Sequence, residues 1–130
     1  MLAAIAAVTG AWDKVRLVIR DSIVDEPSAQ RTAWTLWLEY YGAAAYDGMI
    51  AARVNTTRTA WRSTLTDIIQ YGQRDGDFQT TRSASECASV LFALIDGFGI
   101  RLAATGPSVD ATEIVATIES VAAQLLQPSK

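Results

Sequence analysis

The stretch Ser89–Leu102 constrains this chain more than any other, because as a helix it has two unlike, weakly polar sides. At about 100° per residue, Leu91, Leu94, Ile95, Phe98 and Leu102 gather on one face. Ser89, Ala93, Asp96, Gly97 and Ala103 gather on the other, all of them small except Asp96. The bulky face requires a core. The small face admits a second helix backbone at close range. The expected place for such a helix is between the core of its own domain and a partner subunit.

The rest of the chain repeats the helical period. Met1–Val8 spaces Leu2, Ile5 and Val8 as a short helix, and Thr9 is the expected cap of the next one. Ala11–Ile23 sets Trp12, Val15, Val18 and Ile19 against Asp13, Lys14, Arg16 and Arg20, and Asp25-Glu26-Pro27-Ser28 stops it, with Ser28 able to cap the next helix. Ser28–Asp47 is apolar around most of its circumference, so it is expected to be central. Gly48–Arg74 is the longest segment, with Ile50, Val54, Trp61, Leu65 and Ile68 in one stripe and Arg53, Arg58, Arg62 and Asp67 assigned elsewhere. It should end in a turn where Gly76 takes the left-handed position and Phe78 packs back. Ser83–Ala104 comes after it, capped by Ser83 or Ser85, then a stop at Thr105-Gly106-Pro107-Ser108 and a last helix over Asp110–Leu126. No segment shows the period-2 alternation of a strand. The expectation is an all-α orthogonal or up-down bundle of five to six helices, one domain over 1–130, with 128–130 as a tail.

Composition removes several classes of function. With no histidine, Ser-His and Cys-His nucleophile arrangements, imidazole metal sites and the commonest general base are excluded. Asp25-Glu26 and Asp75/Asp77 lie in turns, where carboxylates cap and solvate. The single cysteine, Cys87, shares the bulky face of its helix and reads as a buried structural thiol in a reducing compartment. Gly97-x-Gly99 lies inside a helix and is no dinucleotide loop. No catalytic residue, metal site or cofactor is expected. The net charge of −3, with eleven Lys and Arg scattered, offers no basic face for nucleic acid. No apolar run approaches the length of a membrane span, and Met1–Ala11 lacks the basic start of a signal peptide, so a cytoplasmic protein without membrane contact is expected.

Trp34, Trp37, Tyr41 and Trp61 fall on the core-facing stripes of adjacent helices. Residue types alone leave two readings: the rings fill the core, or they wall a gap between helices. A walled gap would take a flat apolar molecule, or a quaternary cation through cation–π contacts worth about 0.5–2 kcal/mol per ring. Asp96 likewise has two readings, as a bond to a neighbouring helix or as a polar fastener at a subunit contact.

Four pieces in order carry a resemblance: Asp25-Glu26-Pro27-Ser28-Ala29-Gln30-Arg31, then Trp34-x-x-Trp37-Leu38-Glu39-Tyr40, Gly72-Gln73-x-x-Gly76-Asp77-Phe78, and Leu94-Ile95-Asp96-Gly97-Phe98-x-x-Arg101-Leu102. Over about 11–126 the chain resembles the C-terminal regulatory domain of TetR-family transcription regulators, in the subgroup of choline- and fatty-acid-type sensors. The resemblance implies a repressor that senses a small hydrophobic, aromatic or quaternary cationic effector and forms a homodimer through its last two long helices. It also implies a DNA-binding head carrying a helix-turn-helix, absent here, with residues 1–10 as the end of the connecting helix; operator DNA would be bound only through that head. On this reading Trp34, Trp37, Tyr41, Trp61, Leu65, Ile95 and Phe98 line the ligand pocket. Ala93, Asp96, Gly97, Ile100, Ile114, Ile118, Val121 and Leu125 form the dimer contact. The alternatives are a helical module that only dimerises, and a small carrier of hydrophobic ligands.

Overall fold

Helices begin where a side chain can take up the free N–H groups of a first turn. In the computed structural model, which describes residues 2–23, 27–105 and 110–129 (without the side chains of 2 and 27–30), six helices appear. They are α1 (Leu2–Ala7), α2 (Ala11–Ile23), α3 (Pro27–Ala44), α4 (Gly48–Arg74), α5 (Ala84–Thr105) and α6 (Ala111–Leu126). The Asp47 carboxylate accepts from the Met49 and Ile50 amides to start α4, and Asp110 does the same for α6 through Thr112 and Glu113. Ser83 Oγ accepts from the Glu86 amide to start α5, which selects Ser83 over Ser85 as its cap. The stops expected at Asp25-Glu26 and Gly106-Pro107-Ser108, and the Ser28 cap, lie outside the described residues and side chains.

The start of α2 departs from expectation. Thr9 is not its cap: the Lys14 amide bonds the Gly10 carbonyl, and the Ala11 amide donates to Asp77, 66 residues away, at 3.3 Å. Asp77 sits in the turn after α4, where Gly76 takes φ +83 and Phe78 folds back until its ring lies against Gly72. A Cβ at residue 72 would overlap that ring, so this is a place where only glycine fits. The turn also holds the end of the chain. Gln79 and Thr80 donate to the Gln127 and Leu126 carbonyls, and the Ser129 amide donates to Asp77 O at 2.7 Å. Residues 128 and 129 are therefore bound to this turn and are no loose tail, with Gln127 in the left-handed conformation that redirects the chain.

A hydrophobic core runs between α2, α4, α5 and α6. Val15, Ile19, Ile23, Leu65, Ile69, Cys87, Leu91, Ile118 and Leu126 are wholly buried, each large aliphatic side chain contributing about 1.5–3 kcal/mol. Glu119 on α6 ties this layer from outside, 3.2 Å from Arg20 and 3.8 Å from Arg16 on α2. Burial pushes the Cys87 thiol upward, so it stays protonated and behaves as a small hydrophobe. By length and composition α5 is apolar enough to cross a membrane, against the sequence expectation, yet its Leu91, Ile95 and Leu102 edge is part of this core.

α3 is not the central helix its composition suggests. Among its described side chains only Trp34 is buried, while Leu36 and Tyr40 are about half exposed, at 52% and 53%. It lies across α4 and α5 as an outer cover. The glycine that lets it approach is Gly99, where a Cβ would run into the Trp34 indole; Gly97, the expected close-approach site, faces open space.

Candidate functional site: an aromatic cleft closed by an arginine–aspartate pair

Where α3 crosses α4 and α5 the packing is incomplete. A cleft of about 200 Å³ remains, lined by Val18, Asp21 and Ser22 of α2, Ala33, Trp34 and Trp37 of α3, Arg58 and Trp61 of α4, and Phe92 and Ile95 of α5. Trp34 forms its floor, with its indole N–H donating to the Ser22 carbonyl at 2.8 Å, so the ring is held at both its apolar and polar ends. Trp37 is the divider. It lines this cleft and also a second depression of about 300 Å³ with Tyr40, Arg53, Val54 and Thr57.

The polar element of the cleft is a pair bridging α4 and α5. Arg58 Nη2 bonds Asp96 Oδ1, and Tyr41 on α3 donates its hydroxyl to Asp96 Oδ2 at 2.9 Å. The two charged side chains are 17% and 27% exposed, so this is a sheltered contact in which one carboxylate fastens three helices. Burial, more than any neighbouring charge, pushes the Tyr41 phenol up to about 12; Arg58 opposes that rise and Asp96 adds to it. Tyr41 therefore acts as a neutral donor across the physiological range. The Arg58 guanidinium carbon stands 4.3 Å from the Phe92 ring centre and 5.1 Å from that of Trp37, a cation–π seat on both sides. Its Nε is buried and has no hydrogen-bond partner among the described residues.

Of the seven residues expected to line a pocket, the structure brings Trp34, Trp37, Trp61 and Ile95 to this cleft. Tyr41 is beside it, its ring tilted at 38° to that of Trp37 with centroids 5.9 Å apart, and bonded to Asp96. Leu65 belongs to the core, and Phe98 packs on the core edge beneath Arg101; neither lines the cleft. Of the residues expected at a dimer contact, Ala93 and Gly97 are exposed, while Ile100, Val121 and Leu125 are half-buried. Ile114 and Ile118 depart from that expectation: both are buried in the chain's own core, at 5% and 0% exposure, and have little or no area left for a second subunit. The Asp96 carboxylate is engaged within the chain by Tyr41 and Arg58, the first of its two expected readings, with 27% of the side chain exposed.

Sequence reasoning missed Arg58 and Phe92. The signal for Arg58 was present, because Val54, Arg58, Trp61, Leu65 and Ile68 fall on one stripe of α4 at three- and four-residue steps. A charge inside an apolar stripe needs a buried partner. No cluster of His, Cys, Asp or Glu able to hold a metal occurs among the described residues.

The described residues form an all-α bundle of six helices without strands. Residues 11–127 match the family described as "BetI-type transcriptional repressor, C-terminal", and the chain belongs to that family. It is a regulatory C-terminal domain of a TetR-type repressor, which is not an enzyme class. Comparison with curated proteins and with solved structures finds no match.

Proposed function

We propose that this chain is the effector-sensing and dimerisation body of its repressor, acting in the cytoplasm as one domain. A small apolar molecule enters the cleft between α2, α3, α4 and α5, and α5 with α6 associates with the same helices of a second copy. The observation that carries the reading is the cleft's position. Its walls share the Arg58–Asp96 bond with α5, and the far side of α5 presents Ala93, Gly97 and Val90, the last 40% exposed. A ligand that favours one arrangement of this bond over another has the differential affinity that a switch requires. In an intact repressor dimer, the shift in the paired bodies would alter the spacing of the DNA-binding heads.

Two measurements on the chain test this. Sedimentation at micromolar concentration should give a dimer, and a monomer would overturn the association. Thermal melting with one- and two-ring apolar compounds should rise, and the rise should vanish in Ala33→Trp, which fills the cleft from its outer wall. A dimer whose melting no such compound shifts would favour a module that only dimerises.

A further inference from the structure

We propose that the second depression, between α3 and α4, binds a small aromatic carboxylate, separately from the effector cleft, and that Arg53 is the group that takes the carboxylate. At about 300 Å³ it is roomier than the cleft, and since an apolar cavity of about 150 Å³ takes a benzene, it suits one or two rings. Trp37 and Tyr40 stand three residues apart on α3, their ring centroids 6.0 Å apart and the rings inclined at 58°. Opposite them α4 supplies Arg53, Val54 and Thr57, of which Val54 is buried and gives aliphatic surface.

The polar groups of this depression are free. Arg53 is exposed, and it has no ion pair, hydrogen bond or ring contact among the described residues. Arg58 differs on each count, since Asp96 matches its charge and the Phe92 and Trp37 rings flank it. Thr57 stands one turn after Arg53 on the same face of α4. Thr56, Thr64 and Thr66 donate their hydroxyls to carbonyls four residues back, whereas the Thr57 hydroxyl has no partner among the described residues. Apolar walls with a few unspent polar groups are the makings of a ligand site. No carboxylate competes for Arg53. Glu39, the one acidic residue of α3, falls about 160° around that helix from Trp37 and does not line the depression. Asp47 is occupied by the Met49 and Ile50 amides. One unmatched cation suits a monoanion, and a planar carboxylate can take two guanidinium N–H groups in parallel.

The test uses 2-naphthoate, with 2-naphthalenemethanol as its uncharged counterpart and 2-naphthylmethylammonium as the cation, each followed by equilibrium dialysis against the whole chain. Naphthoate should bind with a dissociation constant below about 1 mM and about fivefold more tightly than the alcohol, the upper end for one exposed ion pair, and more tightly than the cation. That margin should shrink as salt is raised. Arg53→Gln should remove the margin and leave the alcohol's affinity as it was. Thr57→Phe, which fills the depression, should abolish naphthoate binding, while Ala33→Trp, which fills the effector cleft, should not. Should Ala33→Trp fail to fold, the other two variants, both at exposed positions of α4, still decide. No saturation below about 1 mM would overturn the inference, as would equal binding of acid and alcohol, a preference for the cation, or a margin that survives Arg53→Gln. Naphthoate binding lost in Ala33→Trp and kept in Thr57→Phe would place the acid in the effector cleft, overturning this inference and leaving the effector reading in place.

Discussion

The two ends of α4 are packed in opposite ways. At its C-terminal end, Gly72 seats the Phe78 ring, Asp77 caps α2, and the last residues of the chain hydrogen-bond back onto the same turn. Aliphatic side chains behind this turn are wholly buried. Toward the other end α4 meets α3, which buries only Trp34 among its described side chains and leaves a cleft along its length. There the helices are joined by one carboxylate and one guanidinium with a donor left over. The first region is built for permanence. The second keeps packing incomplete, which is the condition for anything to enter.

The difference can be broken or sharpened by substitution. Phe78→Ala should have the largest effect, about 3–5 kcal/mol of unfolding free energy, because the ring is buried and Gly72 cannot collapse into the gap. Asp96→Asn strands a sheltered Arg58 and should cost about 1–3 kcal/mol in chemical denaturation, a loss that Arg58→Met in the same chain should partly recover. Tyr41→Phe removes one bond to a carboxylate, for about 1 kcal/mol at neutral pH. Its pH dependence is the sharper reading. Because the folded phenol titrates near 12 and an unfolded one near 10, the native chain retains the proton longer. Tyr41 thus contributes stability that is whole below about pH 10 and is lost as pH rises toward 12. Denaturation between pH 9 and 11.5 should show that loss, and Tyr41→Phe should flatten this contribution. Gly97→Leu should have the least effect on folding, within about 0.5 kcal/mol, since open space surrounds it. If α5 forms the subunit seam, the same change should separate the dimer in sedimentation, and undiminished association would place the seam elsewhere.

Most of the fold was legible because the helix ends are written in local chemistry. Ser83, one of the two caps expected for its helix, caps it, and Gly76 turns the chain where a left-handed residue was expected, while Asp47 and Asp110, read as the last and first residues of helices, prove to be caps. The Asp77 cap on Ala11 was not legible, since a hydrogen bond spanning 66 residues leaves no local pattern. The placing of α3 failed for a different reason. Rings all round a helix mark it as central only if neighbours cover every side, and here Leu36 and Tyr40 remain open. The tryptophans of the cleft were visible as a stripe, but whether a stripe closes into core or stops short is set by the fit of three helices together. Arg58 was misread by treating charge as proof of an outward side chain, although its register on α4 placed it inside.

The clamp between the turn after α4 and the ends of the chain has a kinetic meaning. The helices form through contacts three or four residues apart, but the Ala11–Asp77 and Gln79–Ser129 bonds close loops of 66 and 50 residues. Loop closure grows costlier with length, so these bonds carry a far larger ordering penalty than any helical turn. The clamp is then expected to form after the folding barrier. Substitutions at Asp77 or Ser129 would hasten unfolding and leave refolding unchanged, and a slowed refolding limb would place the clamp in the folding nucleus instead.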